Sequence, residues 1–411
     1  MATAGVYPEQ GSLVSLPKGR QAPRDITNNA SPSDPLEALK TASDLRERSQ
    51  DRRYGRHRLR AGLWTWSTLP RVRNCGRVIV SNDRALVGVR VTDEHAGFSG
   101  LQSCGSVWAD PVCASKILSR RAVEIGAVLS LAVAEGYVLA FGTFTMRHRR
   151  GERLELLWKA GRDGWRRVTS GKAYLSSVAR CGVVGWVRVW EVTEGRNGWH
   201  VHVHWVAVMR PGSGKRELDD LAGGMLRRWS AGLARTGREA MRVGQEWHLV
   251  SGDQAGEEVG RYVSKLGAEG LGLELAYTQS GRARDGLKTR PVWSLVESFL
   301  GDGDLKSLDR WHEWERASKG ARQVGWSRNE LDLRARFNVT QPEKTDEEIA
   351  AEELGSEADT ILWITPKGWA SMVLHPMRMP ELLDAAENGG LYACVKLLHS
   401  WGDVEYSVPN R

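Results

Sequence analysis

The sequence has few cysteines and no long apolar run. Its five cysteines among 411 residues form a sparse, odd-numbered set, which argues against the disulfide framework of a small secreted protein. No stretch of about 18 consecutive apolar residues occurs, so no transmembrane helix and no membrane partner are expected. The opening residues MATAGVYPEQ lack a basic segment followed by an apolar one, so no secretion signal is expected either. These absences predict a cytoplasmic protein.

What the sequence does contain is enough apolar material for two or three cores. Hydrophobic residues make up 41% of the chain, with 18 tryptophans against only 5 phenylalanines. Lysine and arginine total 58 against 50 acidic residues, a net charge of +8. This excess of positive charge favours a polyanionic partner without requiring one.

Composition divides the chain into five segments. Residues 1–55 are polar and lack an apolar period, which predicts a disordered tail. Residues 56–130 hold three of the five cysteines, and residues 131–290 form the central domain. Residues 291–340 predict a helical extension, broken by a glycine pair. Residues 341–411 predict a small C-terminal accessory domain.

Strand and helix patterns alternate in the central domain. Tyr137–His148 predicts a buried strand, and "GVVGWVRVWEVTEGRNGWHVHVHWVAVM" predicts two strands joined by a tight turn at Gly195–Gly198, because Asn-Gly is a strong hairpin signal. "AVEIGAVLSLAVAEG" predicts a helix ending at Gly136, and "EEVGRYVSKLGAE" predicts another. This alternation indicates an α+β fold, an antiparallel sheet with helices packed on it.

Three histidines occupy alternate positions of the second hairpin strand. His200, His202 and His204 therefore lie on one face, because alternate residues of a strand point the same way. A hairpin loop with an even number of residues places Glu191 of the first strand on that face too. Two imidazoles and a carboxylate can bind a metal ion and leave coordination positions open. The alternative is a half-exposed sheet face with solvated histidines.

A tyrosine lies within the last predicted helix of the central domain. Glu258, Tyr262 and Lys265 are spaced so that they share one helix face. A tyrosine near a divalent ion can act as a nucleophile toward phosphorus. Lys265 can neutralise phosphate charge, and Glu258 is placed to handle a proton. An ordinary amphipathic helix would show the same residue types, so this stretch gains weight only together with the histidines.

These stretches resemble the motifs of the HUH endonucleases, in the order typical of that superfamily. "HVHWVAV" (His202–Val208) resembles their His-hydrophobe-His motif, and "YVSK" (Tyr262–Lys265) their nucleophilic tyrosine followed by lysine. "FGTFTMRH" (Phe141–His148) is similar to their first motif. "GWVRVWEVTEGRNGWHVHVH" and "WHEWERASKGARQVGWS" (Trp311–Ser327) most resemble replication initiators of actinobacterial rolling-circle plasmids. The resemblance spans about residues 95–330 and includes a cysteine-bearing segment, "GLQSCGSVWADPVCASKI".

The resemblance implies an HUH endonuclease-type antiparallel sheet whose central strand carries the histidines, with the tyrosine on a flanking helix. It also implies a plasmid replication initiator (Rep) that nicks one strand of the double-strand origin. Tyr262 would attack the scissile phosphodiester, leaving a 5′-phosphotyrosyl enzyme and a free 3′-OH. The implied partners are single-stranded origin DNA, a host helicase and a host DNA polymerase.

The same resemblance assigns roles to the other residues. His202 and His204, with Glu191, would hold Mg²⁺ or Mn²⁺ against the scissile phosphate, and His200 is the weaker ligand candidate. Glu258 matches the glutamate that helps water release the strand at termination in one-tyrosine initiators. A second tyrosine one helical turn away is absent from the sequence, so the two-tyrosine mechanism is not supported.

The cysteine-bearing segment departs from the resemblance. Related sequences usually have Cys-Pro-x-Cys where this chain has Ala109–Cys113, so one expected cysteine is absent. A structural zinc held by Cys75, Cys104, Cys113 and a fourth ligand such as His95 is one hypothesis, because such sites normally need four ligands. Three buried free thiols are the alternative.

A basic segment, Met146–Lys172, follows the first strand and holds nine Lys/Arg residues against three acids. Trp158 and Trp165 are interleaved, and guanidinium and indole groups together suit the phosphates and bases of a single strand. The predicted DNA-binding residues are Arg147, Arg149, Arg150, Arg166 and Arg167. The alternative is a solvated, arginine-rich face.

Three other functions compete with the initiator hypothesis. Relaxases and transposases of the HUH type use the same chemistry. A cupin-like or non-haem iron oxygenase also uses two histidines and a carboxylate, but a cupin would show a glutamate shortly after His204, and "WVAVMRPG" has none. A non-catalytic replication DNA-binding protein would explain the charge but not the histidines together with Tyr262.

Overall fold

The computed structural model describes residues 35–80, 85–92, 95–251, 255–256, 259, 289–339, 342–353 and 359–409. The chain divides into two compact units, Met1–Arg48 and Ser49–Arg411. In the first unit, the described backbone is helical from residue 35. Both sheets and the candidate sites lie in the second unit.

Helices and strands alternate along the chain. The helices are α1 (Pro35–Trp66), α2 (Pro70–Asn74), α3 (Pro111–Ala134), α4 (Leu154–Val168), α5 (Lys172–Arg180), α6 (Lys215–Ala234), α7 (Trp293–Asp302), α8 (Leu305–Ser318), α9 (Leu333–Arg336), α10 (Asp346–Ala351), α11 (Pro366–Leu374) and α12 (Arg378–Trp401). The strands are β1 (Val87–Val91), β2 (Ala96–Ser99), β3 (Val138–Thr145), β4 (Val183–Gly195), β5 (Gly198–Met209), β6 (Glu246–Val250), β7 (Thr289–Arg290), β8 (Val324–Trp326), β9 (Asp359–Ile364) and β10 (Tyr406–Ser407). The predicted α+β class is confirmed.

The larger sheet is antiparallel, with the order β6-β3-β5-β4-β7 and with β8 also paired to β4. The predicted hairpin joins β4 and β5 through a two-residue connection, since Gly195 pairs with Gly198. Gly198 has φ +84°, a left-handed conformation that glycine adopts without steric cost. The strand with the histidines, β5, therefore lies between β3 and β4, in the centre of the sheet, as expected.

The two faces of this sheet pack against different helices. On one face, α3 covers a cluster of aliphatic side chains that includes Ile125, Leu139 and Val206. On the other face, α4 and α6 enclose a core rich in tryptophan. Its fully buried tryptophans include Trp158, Trp190, Trp199, Trp205 and Trp229. Replacing one such side chain with alanine typically costs about 3–5 kcal/mol, so the tryptophan excess in the sequence has a structural role in this core.

A glycine allows the central strands to hold one of these indoles. Gly142 of β3 pairs with Trp205 of β5. A Cβ atom on Gly142 would lie 2.4 Å from Nε1 of Trp205. Since that distance is far below van der Waals contact, a side chain at position 142 would displace the indole from the core.

A second antiparallel sheet, ordered β10-β9-β1-β2, joins distant parts of the chain. Val87 and Val89 of β1 share an apolar cluster with Leu362 of β9 and with buried residues of α12. The expected division into separate domains at residues 130 and 341 is therefore wrong. Strands from 56–130 and from 341–411 form one sheet, because neither segment alone supplies enough strands to cover its apolar face.

The expected disordered tail also ends too late in the sequence. Residues 49–55 belong to α1, and the Arg53 guanidinium donates hydrogen bonds of 2.8 and 2.6 Å to the two carboxylate oxygens of Glu387 in α12. A bidentate pair of this kind fixes the orientation of both side chains. The tail prediction is therefore wrong for these residues.

The remaining helix predictions fall into two groups. The two helices predicted within residues 291–340 are present as α7 and α8, separated by Gly303 with φ +69°. Of the helix predicted at residues 257–269, which includes Tyr262, the structure describes only Val259, which is helical, as are Ala255 and Gly256 just before it. Among the described helices, none combines the length and apolar character needed to span a membrane.

Candidate metal centre on the large sheet

The strand register brings the predicted ligands together. Glu191 of β4 pairs directly with His202 of β5, and His204 pairs with Val189 of β4 and Thr143 of β3. Side chains two residues apart on a strand lie on the same face. Glu191, His202 and His204 therefore share the face that α3 covers further along the strands.

The three side chains converge on a single carboxylate oxygen. Oε2 of Glu191 lies 2.8 Å from Nε2 of His202 and 2.6 Å from Nε2 of His204. The candidate ligand atoms all lie within 4.8 Å of one another. The side chains of Glu191, His202 and His204 are 14%, 11% and 20% exposed, so the cluster is partly accessible to solvent. This geometry suits a cation held by two imidazoles and one carboxylate.

The electrostatics of the cluster favour an ionised carboxylate. Burial raises the pKa of Glu191, but the hydrogen bonds from His202 and His204 outweigh it and hold the pKa well below its usual range. Because both Nε2 atoms face the carboxylate, protons on these nitrogens link the imidazoles to Glu191. A cation binding to the cluster would replace those protons.

Thr143 holds one of the imidazoles in place. Its Oγ1 lies 3.0 Å from Nδ1 of His204, while Nε2 of the same ring faces Glu191. A hydrogen bond at the far nitrogen fixes the ring orientation and the tautomer of a metal-binding histidine. Thr143 is not among the site residues predicted from the sequence. The signal was present, because β3 ends in Thr-x-Thr and both threonines face the histidines across the sheet.

His200 interacts with a different partner. Its Nδ1 lies 3.0 Å from Nε2 of His148, whose Nδ1 lies 3.1 Å from the carbonyl oxygen of Asn197. Burial, followed by the nearby His202 and His148, lowers the pKa of His200 to about 4. His200 is not a member of the three-residue cluster among the described residues. Its place in the structure therefore differs from that of His202 and His204.

The predicted DNA-binding arginines form two groups. Arg147, Arg149 and Arg150 are exposed in the loop after β3, which contacts the hairpin through His148 and His200. Arg166 and Arg167 are exposed at the end of α4, which packs on the opposite face of the sheet. Only the first group is therefore adjacent to the histidines.

The tryptophans interleaved with these arginines are core residues. Trp158 is fully buried and Trp165 is 6% exposed. Both pack in the tryptophan-rich core beneath α4, so their rings are not accessible to unstacked bases. The expectation that they contribute to single-strand binding is wrong, because the helical period of α4 turns them inward while its arginines face solvent.

The three cysteines predicted for zinc also come together, at a second location. Cys75, Cys104 and Cys113 are all buried, and they form a cluster with Asp110. His95 is exposed at the turn between β1 and β2 and is not part of this cluster. The fourth residue near the three cysteines is therefore Asp110 and not the predicted His95.

The predicted catalytic tyrosine, Tyr262, and its helix neighbours belong to the stretch after β6. Glu258, Tyr262 and Lys265 lie outside the described residues. The chain leading to them is partly described. Ala255 is fully buried and Val259 is 4% exposed, and both belong to the apolar cluster between α3 and the histidine-bearing sheet face.

Comparison with known proteins relates most of the chain to a Rep protein. The chain is 28% identical to the protein named "Protein rep" from Streptomyces lividans over 365 residues, which cover 73% of this chain and 79% of that protein. It is also 28% identical, over 152 residues, to the "Neomycin resistance protein" of Streptomyces cyanogenus, covering 31% of this chain and 35% of that protein. No protein-family model and no solved structure matches the chain. The similarity to the Rep protein extends beyond residues 131–290, so it is not confined to the central domain.

Proposed function

We propose that this protein is a plasmid rolling-circle replication initiator, a metal-dependent nickase and strand transferase of the HUH type. The proposal depends on one observation above all. Glu191, His202 and His204 converge on one point of the central strand, with His204 oriented by Thr143. Two imidazoles and a carboxylate with open coordination positions suit a cation that must also contact a phosphate.

The chemistry proposed for the site is transesterification at phosphorus. A bound Mg²⁺ or Mn²⁺ would neutralise charge on the scissile phosphate and polarise its P–O bonds. Tyr262 Oη loses its proton and forms a bond to phosphorus, while the bond from phosphorus to the 3′-oxygen breaks. The released 3′-oxygen takes up a proton, and the 5′-phosphate stays on the tyrosine. Lys265 is proposed to offset the phosphate charge, and Glu258 to assist water at strand release.

Two further observations support this assignment. Val259, three residues before Tyr262, is buried against the sheet face that carries the three ligands. The similarity to a protein named Rep favours replication over transfer or transposition, which use the same reaction. Single-stranded DNA is the proposed substrate, and Arg147, Arg149 and Arg150 are the proposed phosphate contacts beside the site.

The test uses single-stranded oligonucleotides that together cover the replicon carrying the gene. Each is labelled at its 3′ end, so that the label stays on the fragment whose 5′-phosphate becomes attached to the protein. With Mn²⁺, one oligonucleotide should yield a covalent adduct that survives denaturing electrophoresis. Tyr262→Phe should form no adduct, because the nucleophilic oxygen is gone. Tyr137→Phe is the matched control, since Tyr137 packs on Phe337 away from the ligands, and it should form the adduct normally.

Cleavage of the same oligonucleotide by Tyr262→Phe at the wild-type rate would overturn the tyrosine assignment. For Glu258→Ala we expect nicking to persist while hydrolytic release of the bound strand slows. Release at an unchanged rate would remove the role proposed for Glu258.

A further inference from the structure

The cysteine cluster contains a buried carboxylate, and one of its two oxygens has no hydrogen-bond partner among the described residues. Asp110 is fully buried at the N-terminus of α3. Its Oδ1 accepts hydrogen bonds of 2.9 Å from the backbone N–H groups of Val112 and Cys113. Its Oδ2 is buried with no hydrogen-bond partner among the described residues. A buried carboxylate oxygen without a donor is costly unless a cation satisfies it.

The three sulfur atoms lie close to the Asp110 carboxylate and to one another. Sγ of Cys75 lies 3.4 Å from Sγ of Cys113, and the four candidate ligand atoms lie within 4.8 Å of one another. In a tetrahedral site with Zn–S bonds of about 2.3 Å, the sulfurs are about 3.8 Å apart. From this geometry we infer that Cys75, Cys104, Cys113 and Asp110 form a structural Zn²⁺ site with three thiolate ligands and one carboxylate ligand.

The surroundings of the cluster suit thiolates. The backbone N–H of Cys104 donates to Sγ of Cys75 at 3.3 Å, and the Ser103 hydroxyl lies 3.6 Å from Sγ of Cys113. Hydrogen bonds to sulfur stabilise the charged form, which is the form that binds metal. The thiols therefore have partners of the kind that a metal-bound thiolate needs.

The charges at this location also fit. Three thiolates, one carboxylate and Zn²⁺ sum to −2, the same as a site with four cysteines. Arg60, which is 5% exposed, lies close enough to interact electrostatically with both Asp110 and Cys113. A Cβ atom on Gly76, the neighbour of Cys75, would lie 2.4 Å from Nη1 of Arg60. A buried guanidinium next to the cluster offsets part of this negative charge.

The site would connect three separate segments of the chain. Cys75 directly follows α2, Cys104 lies in the loop after β2, and Asp110 and Cys113 begin α3. Backbone hydrogen bonds link the first two segments, as between the Gly76 N–H and the Gln102 carbonyl, and a shared ion would also fix both relative to the start of α3. Its role is therefore structural, because the four ligands leave no open coordination position.

The experiment uses the full-length protein, stripped of metal under reducing conditions and titrated with Co²⁺ alone. We expect one equivalent to produce a thiolate-to-cobalt charge-transfer band and the intense visible bands of tetrahedral cobalt, both displaced by Zn²⁺. His204→Ala should keep these bands, because imidazole and carboxylate ligands cannot produce the thiolate transition. This separates the present inference from the proposed function. The absence of a thiolate band in the folded wild-type protein would overturn the site.

Ligand variants test the four-ligand composition. Cys113→Ser should weaken the thiolate band and lower the affinity for Co²⁺, whereas Cys394→Ser should change neither, since Cys394 is buried in the apolar cluster of the second sheet. Asp110→Asn can still cap α3 but removes the anionic ligand, so we expect Co²⁺ affinity to fall about tenfold or more. Asp110→Cys should retain tight binding as a four-thiolate site. Unchanged affinity and spectrum in Asp110→Asn would exclude Asp110 as a ligand.

Discussion

The two candidate metal-binding clusters in the described part of the chain differ in burial, in ligand type and in the number of coordination positions left open. Glu191, His202 and His204 lie on a half-buried sheet face and leave coordination positions open. The cysteine cluster is sealed in the interior and offers a full set of four ligands. Catalytic metal sites keep a position open for substrate, whereas structural sites are closed. This difference supports the reaction proposed for the first cluster and the structural role inferred for the second.

Neither cluster depends on neighbouring residues in the sequence alone. The open cluster is built by the register of one hairpin, in which Glu191 pairs with His202. The closed cluster is built by chain segments that meet only in the folded protein, since Cys75 and Cys113 are far apart in sequence. A local rearrangement that separates these chain segments should therefore disrupt the second cluster more readily than the first.

Removing a ligand of the open cluster should have the largest effect on activity. For His204→Ala we expect the single-turnover nicking rate to fall on the order of 10³-fold, because metal stabilisation of the phosphate is lost. Its thermal unfolding should change little. His200→Ala is the control, since His200 pairs with His148 instead, and it should lose less than about tenfold. Equal losses in both variants would break the distinction between the two histidines.

Metal removal should affect the two clusters in different measurements, nicking for the open cluster and stability for the closed cluster. We expect chelation to abolish nicking and to lower the unfolding temperature together. Mn²⁺ alone should restore nicking at the open cluster. Zn²⁺ should restore stability, by about 4 kcal/mol when its concentration is 1,000 times its Kd. Parallel nicking assays and thermal unfolding measure both effects. Recovery of stability with Mn²⁺ alone would contradict the assignment of the closed cluster to zinc.

A smaller effect is expected from the residue that orients His204. Thr143→Val removes the hydroxyl 3.0 Å from Nδ1 of His204 but keeps the shape of the side chain. We expect Mn²⁺ affinity, measured by the metal dependence of nicking, to weaken about 10–100-fold. Thr145→Val is the matched control on the same strand, because the Thr145 hydroxyl donates to the carbonyl of Gly244 instead. A comparable loss in the control would show that the effect arises from the strand and not from His204.

The smallest effect concerns pH, through His57, whose Nδ1 lies 3.1 Å from Nη2 of Arg60. Burial, and then the charge of Arg60, hold the pKa of His57 well below 6.5. The unfolded chain takes up a proton near pH 6.5, whereas the folded protein does so only at much lower pH. Acidification below 6.5 should therefore reduce stability, by at most about 1.4 kcal/mol per pH unit from this group. Urea unfolding across this range should show a flatter profile for His57→Gln than for the exposed control His95→Gln. Parallel profiles would contradict the prediction.

Much of the open cluster follows from the sequence because it depends on short-range rules. Strand alternation places the three histidines, and an even hairpin loop places Glu191 with them. The contact of Thr143 with His204 does not follow from the sequence, because it depends on β3 being the neighbour of β5 in the sheet. The prediction that Trp158 and Trp165 contact DNA is wrong for a related reason. Exposure depends on what packs against α4, which the sequence pattern alone does not specify.

The closed cluster was only partly predictable. The three cysteines were proposed together, but their spacing does not identify the fourth ligand. Asp110 precedes a proline at the start of a helix, a pattern that predicts a helix cap. It fulfils that role through Oδ1, and only the three-dimensional structure shows that its carboxylate lies with the three cysteines. The second sheet likewise does not follow from the sequence, because β1 and β9 are separated by most of the chain.

The most direct test of the account is to map the covalent bond in the protein–DNA adduct. The adduct formed with Mn²⁺ is digested with protease and nuclease, and the nucleotide-bearing peptide is sequenced by mass spectrometry. The account predicts a 5′-nucleotide on Tyr262 in the wild-type protein and no modified peptide in His202→Ala or His204→Ala. A nucleotide on any other residue, or full adduct formation without the two histidines, would contradict it.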